Sequence, residues 1–296
     1  MVVIDSAWLA AHPLPVHEPG TDKNGRGRVV IVGGSALVPG ALRLTAEAAL
    51  RTGAGKVRAA TIAAAAISLG VTMPEIAVTA LPQDQNGEIA NDAANNLRGP
   101  ISQCDTLVFG PGMSTQDGTG TLIQGVLKTP RPDLSLVLDA AGVSGAGRLA
   151  RVIAGHGGRT ILTPHHGEMA RLTGMSETAV ADAPEETALR VAAEFNALVV
   201  LKSHETVIAT PAGEMIHYGS DCIGLATGGS GDVLAGAIGG LLSRGADPLT
   251  AAAWGVWMHG EAGRILAERI GALGFLAREL PGEFPRLMQH GARLPE

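Results

Sequence analysis

The chain has 296 residues, of which 46% are hydrophobic and only 3% aromatic, with 41 glycines and a formal net charge of −6. This content suffices for a sizeable core, and apolar residues that are mainly Ala, Val, Leu and Ile favour helices packed closely on a parallel sheet over an all-β sandwich. The negative charge and the lack of a Lys/Arg run argue against a nucleic-acid groove, because such a groove needs concentrated positive charge.

The sequence gives no indication of export or of a membrane location. Its two cysteines, Cys104 and Cys222, form no CxxC pair and no disulfide framework, and the N-terminal region lacks a basic segment followed by an apolar signal core. The longest apolar stretches, such as residues 62–71, are too short and too rich in Ala and Gly to span a bilayer. We therefore expect a cytoplasmic protein without a membrane span, whose partners are small molecules and not nucleic acids.

Short β-branched runs alternate along the chain with longer runs rich in Ala and Leu. Such alternation is typical of βα units repeated around a parallel sheet. The predicted strands are 28–33, 56–60, 106–110, 134–139, 160–163 and 198–202. Because open α/β sheets bind their ligands at the carboxyl ends of the strands, we expect the functional residues to lie along that edge.

The C-terminal part adds a hairpin and two long helices. Residues 207–210 and 215–217 flank the turn-forming stretch 211–214, which predicts an antiparallel hairpin and hence a mixed sheet. Helices are expected over residues 232–244 and from Pro248 to about residue 270.

No change in composition divides the chain, so we expect a single domain over residues 1–296. Residues 1–27, whose later part is rich in His, Pro, Gly and charge, are expected to form an irregular lead-in. Residues 283–296 are expected to form a loose tail.

The strongest local signal is the stretch Leu-Ala-Thr-Gly-Gly-Ser-Gly-Asp at residues 225–232, where a glycine-rich turn opens into a helix. Successive amides in such a turn can surround an anion, and the positive end of the helix dipole favours phosphate. The candidate phosphate-binding residues are Gly228, Gly229, Ser230 and Gly231. Asp232 would lie beside the phosphate, whose charge can raise the pKa of its carboxyl and make it a general base. The alternative is an ordinary acidic residue in the first turn of a helix.

Two familiar phosphate-binding motifs do not fit this sequence. Residues 53–57 lack the upstream Gly and the Ser/Thr after Lys that a P-loop requires, and neither 25–27 nor 110–112 completes GxGxxG. The chain is therefore neither a Walker-type NTPase nor a plain dinucleotide-binding Rossmann protein.

Two further polar stretches follow predicted strands. His165 and Glu168 could cap the next helix, or Glu168 could face a magnesium–phosphate group through water. In the Lys-Ser-His-Glu-Thr stretch at residues 202–206, Lys202 could bind a phosphate and the rest of the loop a ribose or base. The alternative for this stretch is a solvated hairpin edge.

Two other polar residues have weaker indications. Asp139 ends a predicted strand and could bind polar substrate groups or cap a helix. His259, like Trp254 and Trp257, lies at a helical spacing in an apolar run, which favours a core position over a catalytic one.

Taken together, these segments resemble the ADP-dependent NAD(P)H-hydrate dehydratase family, repair enzymes of the ribokinase-like superfamily. Their order is preserved over nearly the whole chain. The matching segments are 27–35 (Gly-Arg-Val-Val-Ile-Val-Gly-Gly-Ser), 39–41 (Pro-Gly-Ala), 109–112 (Phe-Gly-Pro-Gly), 162–165 (Leu-Thr-Pro-His), 201–202 (Leu-Lys) and 226–232 (Ala-Thr-Gly-Gly-Ser-Gly-Asp). The resemblance implies a ribokinase-like three-layer α/β/α fold with a mainly parallel central sheet.

The resemblance also implies a reaction. ADP, or ATP, would donate a phosphoryl group to the C6 hydroxyl of the hydrated nicotinamide ring with the help of Mg²⁺, after which phosphate leaves and NAD(P)H is restored. Asp232 matches the catalytic aspartate of the family. The residues implied to contact the hydrated dinucleotide are Ala41, Gly112, His165 and Asp232. Those implied to contact the adenine nucleotide are Lys202, Ser203, His204, Glu205, Thr206 and Gly231. Relatives suggest a homotetramer.

The chain departs from the family pattern at three places. Asp139-Ala140-Ala141 keeps only the first carboxylate of an Asp-Ala-Asp stretch, Ser203 replaces the glycine of a Lys-Gly loop, and residues 221–224 (Asp-Cys-Ile-Gly) replace Gly-Asn-Pro-Gly. Two other functions therefore remain open. One is a small-molecule kinase of the same fold acting on a vitamin precursor or another alcohol, since the same loop and base serve any hydroxyl phosphorylation. The other is a nucleotide-binding protein without catalysis.

Overall fold

The strand β2 (Arg28–Val32) shows how the apolar runs of the sequence are used. In the computed structural model, which describes residues 2–116 and 118–291, Val29 and Ile31 belong to one hydrophobic cluster and Val30 and Val32 to another. Because successive side chains of a strand point to opposite faces, a strand that is apolar throughout needs cover on both sides. Helices provide that cover, so the sheet is the middle of three layers.

Ten strands form one sheet in the described residues, in the order β1-β10-β9-β8-β7-β6-β5-β2-β3-β4. The strands are β1 (Val2–Val3), β2 (Arg28–Val32), β3 (Lys56–Ile62), β4 (Ala77–Leu81), β5 (Thr106–Phe109), β6 (Ser135–Leu138), β7 (Thr160–Leu162), β8 (Leu198–Leu201), β9 (Glu205–Ala209) and β10 (Met215–Gly219). Neighbouring strands are parallel, except that β9 is antiparallel to both β8 and β10. The expected mixed, mainly parallel sheet is therefore confirmed.

The α-helices of the described residues lie on both faces of this sheet. They are α1 (Ser6–Ala11), α2 (Ala41–Arg51), α3 (Ala63–Thr72), α4 (Ala94–Ser102), α5 (Thr119–Leu127), α6 (Ala141–Ser144), α7 (Ala150–Ala154), α8 (His166–Thr173), α9 (Glu177–Asp182), α10 (Pro184–Phe195), α11 (Ser230–Ser243), α12 (Pro248–Arg269) and α13 (Phe284–Gly291). Among the residues that the structure describes, no helix combines the length and the apolar character needed to cross a membrane.

The predicted strands, the hairpin and the two long helices agree with the structure to within about two residues. The sequence analysis missed β4 (Ala77–Leu81), the last strand at one edge of the sheet. Its residues are mostly exposed or only partly buried, so the strand has neither the continuous apolar run of a central strand nor a clear alternation.

The expected irregular lead-in is wrong for its first part, because β1 pairs with β10 and α1 (Ser6–Ala11) is a regular helix. The side chain of Asp5 caps this helix by accepting a hydrogen bond from the Trp8 amide, and Leu9 is fully buried. Trp254 Nε1 then donates to the His12 carbonyl at 2.7 Å. Capping and the burial of a few apolar side chains outweigh the polar composition of the segment.

The expected loose tail is also wrong for α13 (Phe284–Gly291), where Phe284 and Leu287 are buried one helical turn apart. These two side chains pack on the same hydrophobic cluster as α11 and α12. Helix formation is thus stabilised by tertiary packing, which composition alone does not reveal. The rest of the predicted tail, residues 292–296, lies outside the described residues.

The strand order reverses between β2 and β5, since the chain proceeds from β2 to β3 and β4 on one side and from β5 to β8 on the other. In open α/β sheets, ligands bind outside the carboxyl ends of the strands at such a switch point. Helix α11 packs against α2 so closely that a Cβ on Gly236 would overlap the Thr45 carbonyl. This packing fixes the first turn of α11 at the ligand-binding edge of the sheet.

Candidate active site

A cavity of about 820 Å³ opens at the carboxyl ends of β6, β7 and β8 and extends under the glycine-rich loop that precedes α11. The predicted site residues that line this cavity are His165, Glu168, Lys202, Ser203, His204, Thr206, Gly229, Ser230, Gly231 and Asp232. Four other predicted residues do not line it, namely Ala41, Gly112, Glu205 and Gly228. The fold thus gathers most of the predicted residues from three separate parts of the chain.

The glycine-rich loop turns into α11 at Gly229, which has the left-handed φ of +90° and precedes the helix as its N-cap. A Cβ on Gly229 would also collide with Leu44 of α2. The positive φ therefore favours glycine at this position, and a larger residue would also have to displace the end of the Leu44 side chain. The first amides of a helix have no partner inside it, so those of Gly231 and Asp232 are available to an anion in the cavity.

Lys202 is held by two carboxylates within this cavity. Its Nζ donates to Asp139 Oδ1 at 2.9 Å and lies 3.7 Å from Glu168 Oε2. Burial works against the charged ammonium, but the negative charges of Asp139 and Glu168 outweigh it and the pKa of Lys202 is raised. Lys202 is therefore a permanent cation beside the glycine-rich loop, where a Cβ on Gly231 would be 3.3 Å from its Nζ.

Asp139 is almost fully buried and accepts a second hydrogen bond, from Thr163 Oγ1 at 2.7 Å. It does not cap α6, whose N-cap is Ala140 without a side-chain hydrogen bond. The helix-capping role considered for Asp139 from the sequence is therefore wrong, whereas Asp139 does line the cavity, where it contacts Lys202. Asp139 and Lys202 pair because the ends of two strands meet in the folded sheet. The number of residues between two strands in the sequence does not show whether their ends meet.

Asp232 lies in the first turn of α11 and points into the same cluster of charges. Burial, together with the negative charges of Asp139 and Glu168, raises the pKa of Asp232 to about 7, although Lys202 opposes the shift. A carboxyl with this pKa can take up a proton near neutral pH, which is the property that a general base needs.

His165 and Glu168 form a capping box at the start of α8. The His165 ring accepts a hydrogen bond from the Gly167 amide through Nδ1, and Glu168 Oε2 accepts one from the His165 amide at 2.9 Å. The helix-capping interpretation of this stretch is thus confirmed. Both side chains also line the cavity, and His165 Nε2 lies 3.5 Å from Glu168 Oε1.

Gly112 and Ala41 lie together at the switch point, outside the main cavity. Gly112 follows β5 with a φ of +68°, and a Cβ on it would come within 2.5 Å of the Ala41 Cβ at the start of α2. A second cavity of about 560 Å³ begins at the neighbouring Met113 and shares Ala140 and Glu168 with the first. The two cavities therefore adjoin along the same edge of the sheet.

The remaining predicted residues lie in or near the connecting loops. Glu205 and Gly228 are exposed. Thr206 is buried and donates to the Ser203 carbonyl, while Ser203 Oγ contacts both the amide and the carbonyl of Glu205. The loop of residues 202–206 is therefore the end of the β8–β9 hairpin, with one side facing the cavity.

His259 is a cavity residue that the sequence analysis assigned to the core. Trp254 is indeed buried in the core, but His259 lines the cavity with its Nε2 2.9 Å from Ser230 Oγ. Helical spacing placed both residues on one apolar helix without distinguishing a core side chain from one at the cavity wall.

The three places where the sequence departs from the family pattern lie in or near the cavity. Ser203 and residues 221–223 line it, and Ala141 begins α6.

A mainly parallel sheet between two helical layers, with a glycine-rich loop and a buried carboxylate at its carboxyl edge, defines an α/β protein of the ribokinase-like class. A ribokinase-like superfamily protein from Enterococcus faecalis has a similar solved structure, with a TM-score of 0.82, 25% identity, and coverage of 99% of this chain and 97% of that chain.

More specific similarities identify the family. Residues 29–286 match the family model of NAD(P)H-hydrate dehydratase. The ADP-dependent (S)-NAD(P)H-hydrate dehydratase of Xanthomonas campestris is 44% identical over 292 residues, which are 99% of this chain and 96% of that protein. The ADP/ATP-dependent NAD(P)H-hydrate dehydratase of Bacillus subtilis, co-crystallised with ATP and Mg²⁺, has a TM-score of 0.83 and 27% identity, with 98% of each chain covered. The chain belongs to the NAD(P)H-hydrate dehydratase family. Both the resemblance and the fold class inferred from the sequence are confirmed.

Proposed function

We propose that this protein is an ADP-dependent (S)-NAD(P)H-hydrate dehydratase, which restores NADH or NADPH from the hydrated form. The observation that carries the proposal is Asp232, a carboxyl with a pKa of about 7 beside the amides of a glycine-rich loop and the Lys202 ammonium. The 44% identity with the Xanthomonas enzyme over almost the whole chain supports this reaction over another reaction on the same fold.

The reaction has two stages in this proposal. In the first, Asp232 takes the proton of the C6 hydroxyl while the hydroxyl oxygen attacks the terminal phosphorus of ADP, and the bond from that phosphorus to AMP breaks. In the second, the C6–O bond breaks and phosphate leaves. The neighbouring ring carbon then loses a proton to water, and the electrons of that C–H bond restore the double bond of the reduced nicotinamide ring.

The charges of the cavity suit the first stage. The amides of Gly231 and Asp232 and the Lys202 ammonium face the place where the transferring phosphoryl group would gain negative charge. The Asp139 carboxylate orients Lys202 by its 2.9 Å hydrogen bond. The nucleotide would lie along residues 202–206 and the loop of residues 228–231.

The acceptor substrate would lie on the other side of Asp232. His165 lines the main cavity, and Ala41 and Gly112 lie at the switch point where the adjoining cavity begins. Because the His165 Nδ1 accepts from the Gly167 amide, the neutral ring carries its hydrogen on Nε2 and is a donor there. Glu168 Oε1 lies 3.5 Å from this Nε2, so a hydroxyl or phosphate oxygen of the substrate would share or replace that contact.

Mg²⁺ is part of the proposal, held mainly by the phosphates of the nucleotide. Within residues 2–116 and 118–291, no three His, Cys, Asp or Glu side chains are arranged to hold a metal ion. This fits Mg²⁺, which keeps several waters and commonly binds through phosphates with one or two carboxylates. Glu168 would be reached through water, since its Oε2 already accepts from the His165 amide and faces Lys202. When bound, Mg²⁺ offsets the negative charge of the phosphates.

The direct test is incubation of the purified protein with hydrated NADH or NADPH, Mg²⁺ and either ADP or ATP. We expect the absorbance of the reduced nicotinamide ring to return, with one AMP and one phosphate formed from ADP per cofactor restored. A stable phosphorylated product would instead identify a kinase, and nucleotide binding without turnover a binding protein.

The proposal includes a homotetramer in the cytoplasm, as the sequence analysis predicts. Sedimentation velocity of the purified protein measures the assembly state. Fractionation of the producing cells measures the location.

A further inference from the structure

His259 of α12 contacts the glycine-rich loop through one ring atom. Its Nε2 lies 2.9 Å from Ser230 Oγ and 3.1 Å from the Ser230 carbonyl oxygen. Ser230 is the first residue of α11 and is buried, and both residues line the main cavity. Burial lowers the pKa of His259 to about 4, so the ring is neutral at pH 7 and only one nitrogen carries a hydrogen.

The Ser230 carbonyl determines which nitrogen that is. A carbonyl oxygen can only accept a hydrogen bond, so its contact with Nε2 is favourable only when Nε2 carries the hydrogen. The same N–H is then shared between the carbonyl and the hydroxyl oxygen of Ser230, and both oxygens accept. The Ser230 hydroxyl keeps its own hydrogen, which is free to donate to a ligand in the cavity.

The position of Ser230 indicates which group this hydrogen meets. This step rests on the proposed function, in which the hydroxyl oxygen deprotonated by Asp232 attacks the terminal phosphorus of ADP. The terminal phosphate must then lie beside the first turn of α11, which carries both Ser230 and Asp232. We propose that His259 is a positioning residue, which holds Ser230 so that its hydroxyl donates to the terminal phosphate of the nucleotide.

The other tautomer of His259, with its hydrogen on Nδ1, would leave Ser230 without a hydrogen for the phosphate. If Nε2 carried no hydrogen, the Ser230 hydroxyl would donate to His259 and would have no hydrogen for a phosphate. His259 would then only pack α12 against the loop, and its loss would affect ADP and AMP alike. The comparison of ADP with AMP, which lacks the terminal phosphate, therefore separates a positioning role from a packing role.

The test measures the binding of ADP and of AMP by calorimetry in the wild type, His259→Gln, His259→Asn and Ser230→Ala. The Gln amide can place an N–H where Nε2 lies, whereas the shorter Asn amide reaches only the region of Nδ1. A hydrogen bond to a charged group typically changes affinity by about tenfold or more. We expect about tenfold weaker ADP binding in His259→Asn and Ser230→Ala, AMP binding within about twofold, and ADP binding in His259→Gln within about threefold of the wild type.

A double variant tests whether His259 acts through Ser230. In the Ser230→Ala background, His259→Asn should weaken ADP binding by no more than about threefold, because the hydroxyl that it positions is already absent. Equal losses in both backgrounds, equal losses for ADP and AMP, or an ADP affinity of Ser230→Ala equal to the wild type would each overturn the inference. If His259→Asn does not fold, an unchanged ADP affinity of Ser230→Ala, or a loss in His259→Gln that is equal for ADP and AMP, still overturns the inference. A wild type that does not bind ADP would instead contradict the proposed function.

Discussion

Lys202 Nζ lies 2.9 Å from Asp139 Oδ1 and also next to Gly231, so a buried ion pair joins the end of β6 to the glycine-rich loop. Burial raises the pKa of Asp232, and the two members of the pair act on it in opposite directions: Asp139 raises this pKa and Lys202 lowers it. Changes in this pair should therefore appear in the pH dependence of the reaction.

Replacement of Asp139 by Asn tests that link. The substitution removes a negative charge that favours the protonated form of Asp232, so the pKa of Asp232 should fall and the acid limb of the kcat/KM profile should move to lower pH. The Asn oxygen still accepts from Lys202, so we expect less than about tenfold loss of kcat/KM at pH 8. An acid limb that stays in place or moves to higher pH would show that Asp139 does not influence the catalytic base.

The Asp232→Asn variant tests the base itself. We expect kcat to fall by about 10² to 10⁴, the usual contribution of one proton-transfer group. ADP affinity should stay the same or increase, since the substitution removes a carboxylate that repels the phosphate. Single-turnover rates and calorimetric ADP titrations measure the two quantities separately. A near-normal rate would eliminate Asp232 as the general base.

The same variant should change stability in a pH-dependent manner. Because the pKa of Asp232 is raised from 3.8 to about 7 in the folded protein, the folded state binds a proton between these values that the unfolded state has lost, so wild-type stability falls as pH rises through this window. Asp232→Asn has no ionisable group at this position, so its free energy of unfolding does not fall in this pH window for that reason. We expect it to be more stable than the wild type at pH 8 by about 4 kcal/mol, the equivalent of about three pKa units, and nearly equal to the wild type near pH 4, measured by urea unfolding. A difference that does not change with pH would contradict the raised pKa.

The Gly231→Val variant tests the space between the loop and Lys202. A Cβ at this position would be 3.3 Å from Lys202 Nζ, so a branched side chain should displace the ammonium and cover the amides of the loop. We expect about tenfold weaker ADP binding, equivalent to the loss of one charge-assisted contact. The matched control is Gly99→Val on α4, where a Cβ would meet nothing within 4 Å and ADP binding should not change. Unchanged ADP affinity in a folded Gly231→Val variant would place the phosphate elsewhere.

The sequence predicts the central strands because their β-branched runs are buried on both faces and therefore stand out from the helical runs. It does not predict β4 or α1, since these elements are partly exposed and are stabilised by a neighbouring strand or a helix cap. The order of matching segments was enough to predict the fold class and the family. The path of the chain termini depends on tertiary contacts such as that of Trp254 with the His12 carbonyl.

The candidate site was predictable where local sequence determines local structure. The glycine-rich loop at residues 227–232 is such a case, because the turn, the helix start and the acidic residue are adjacent in the chain. The contacts of Asp139 with Lys202 and of His259 with Ser230 join residues that are 63 and 29 positions apart. Their pairing follows from strand order and from the crossing of α11 and α12, which a single sequence does not specify.

Transfer of the substrate oxygen to phosphate is the measurement that tests the central claim most directly. Hydrated NADH is prepared with oxygen-18 in its C6 hydroxyl and is converted in a single turnover with ADP and Mg²⁺, and the released phosphate is analysed by mass spectrometry. If the hydroxyl oxygen attacks the terminal phosphorus and the C6–O bond then breaks, each phosphate should carry one oxygen-18 atom. Unlabelled phosphate, with the label in water, would show that ADP hydrolysis and dehydration are separate events and would contradict the proposed reaction.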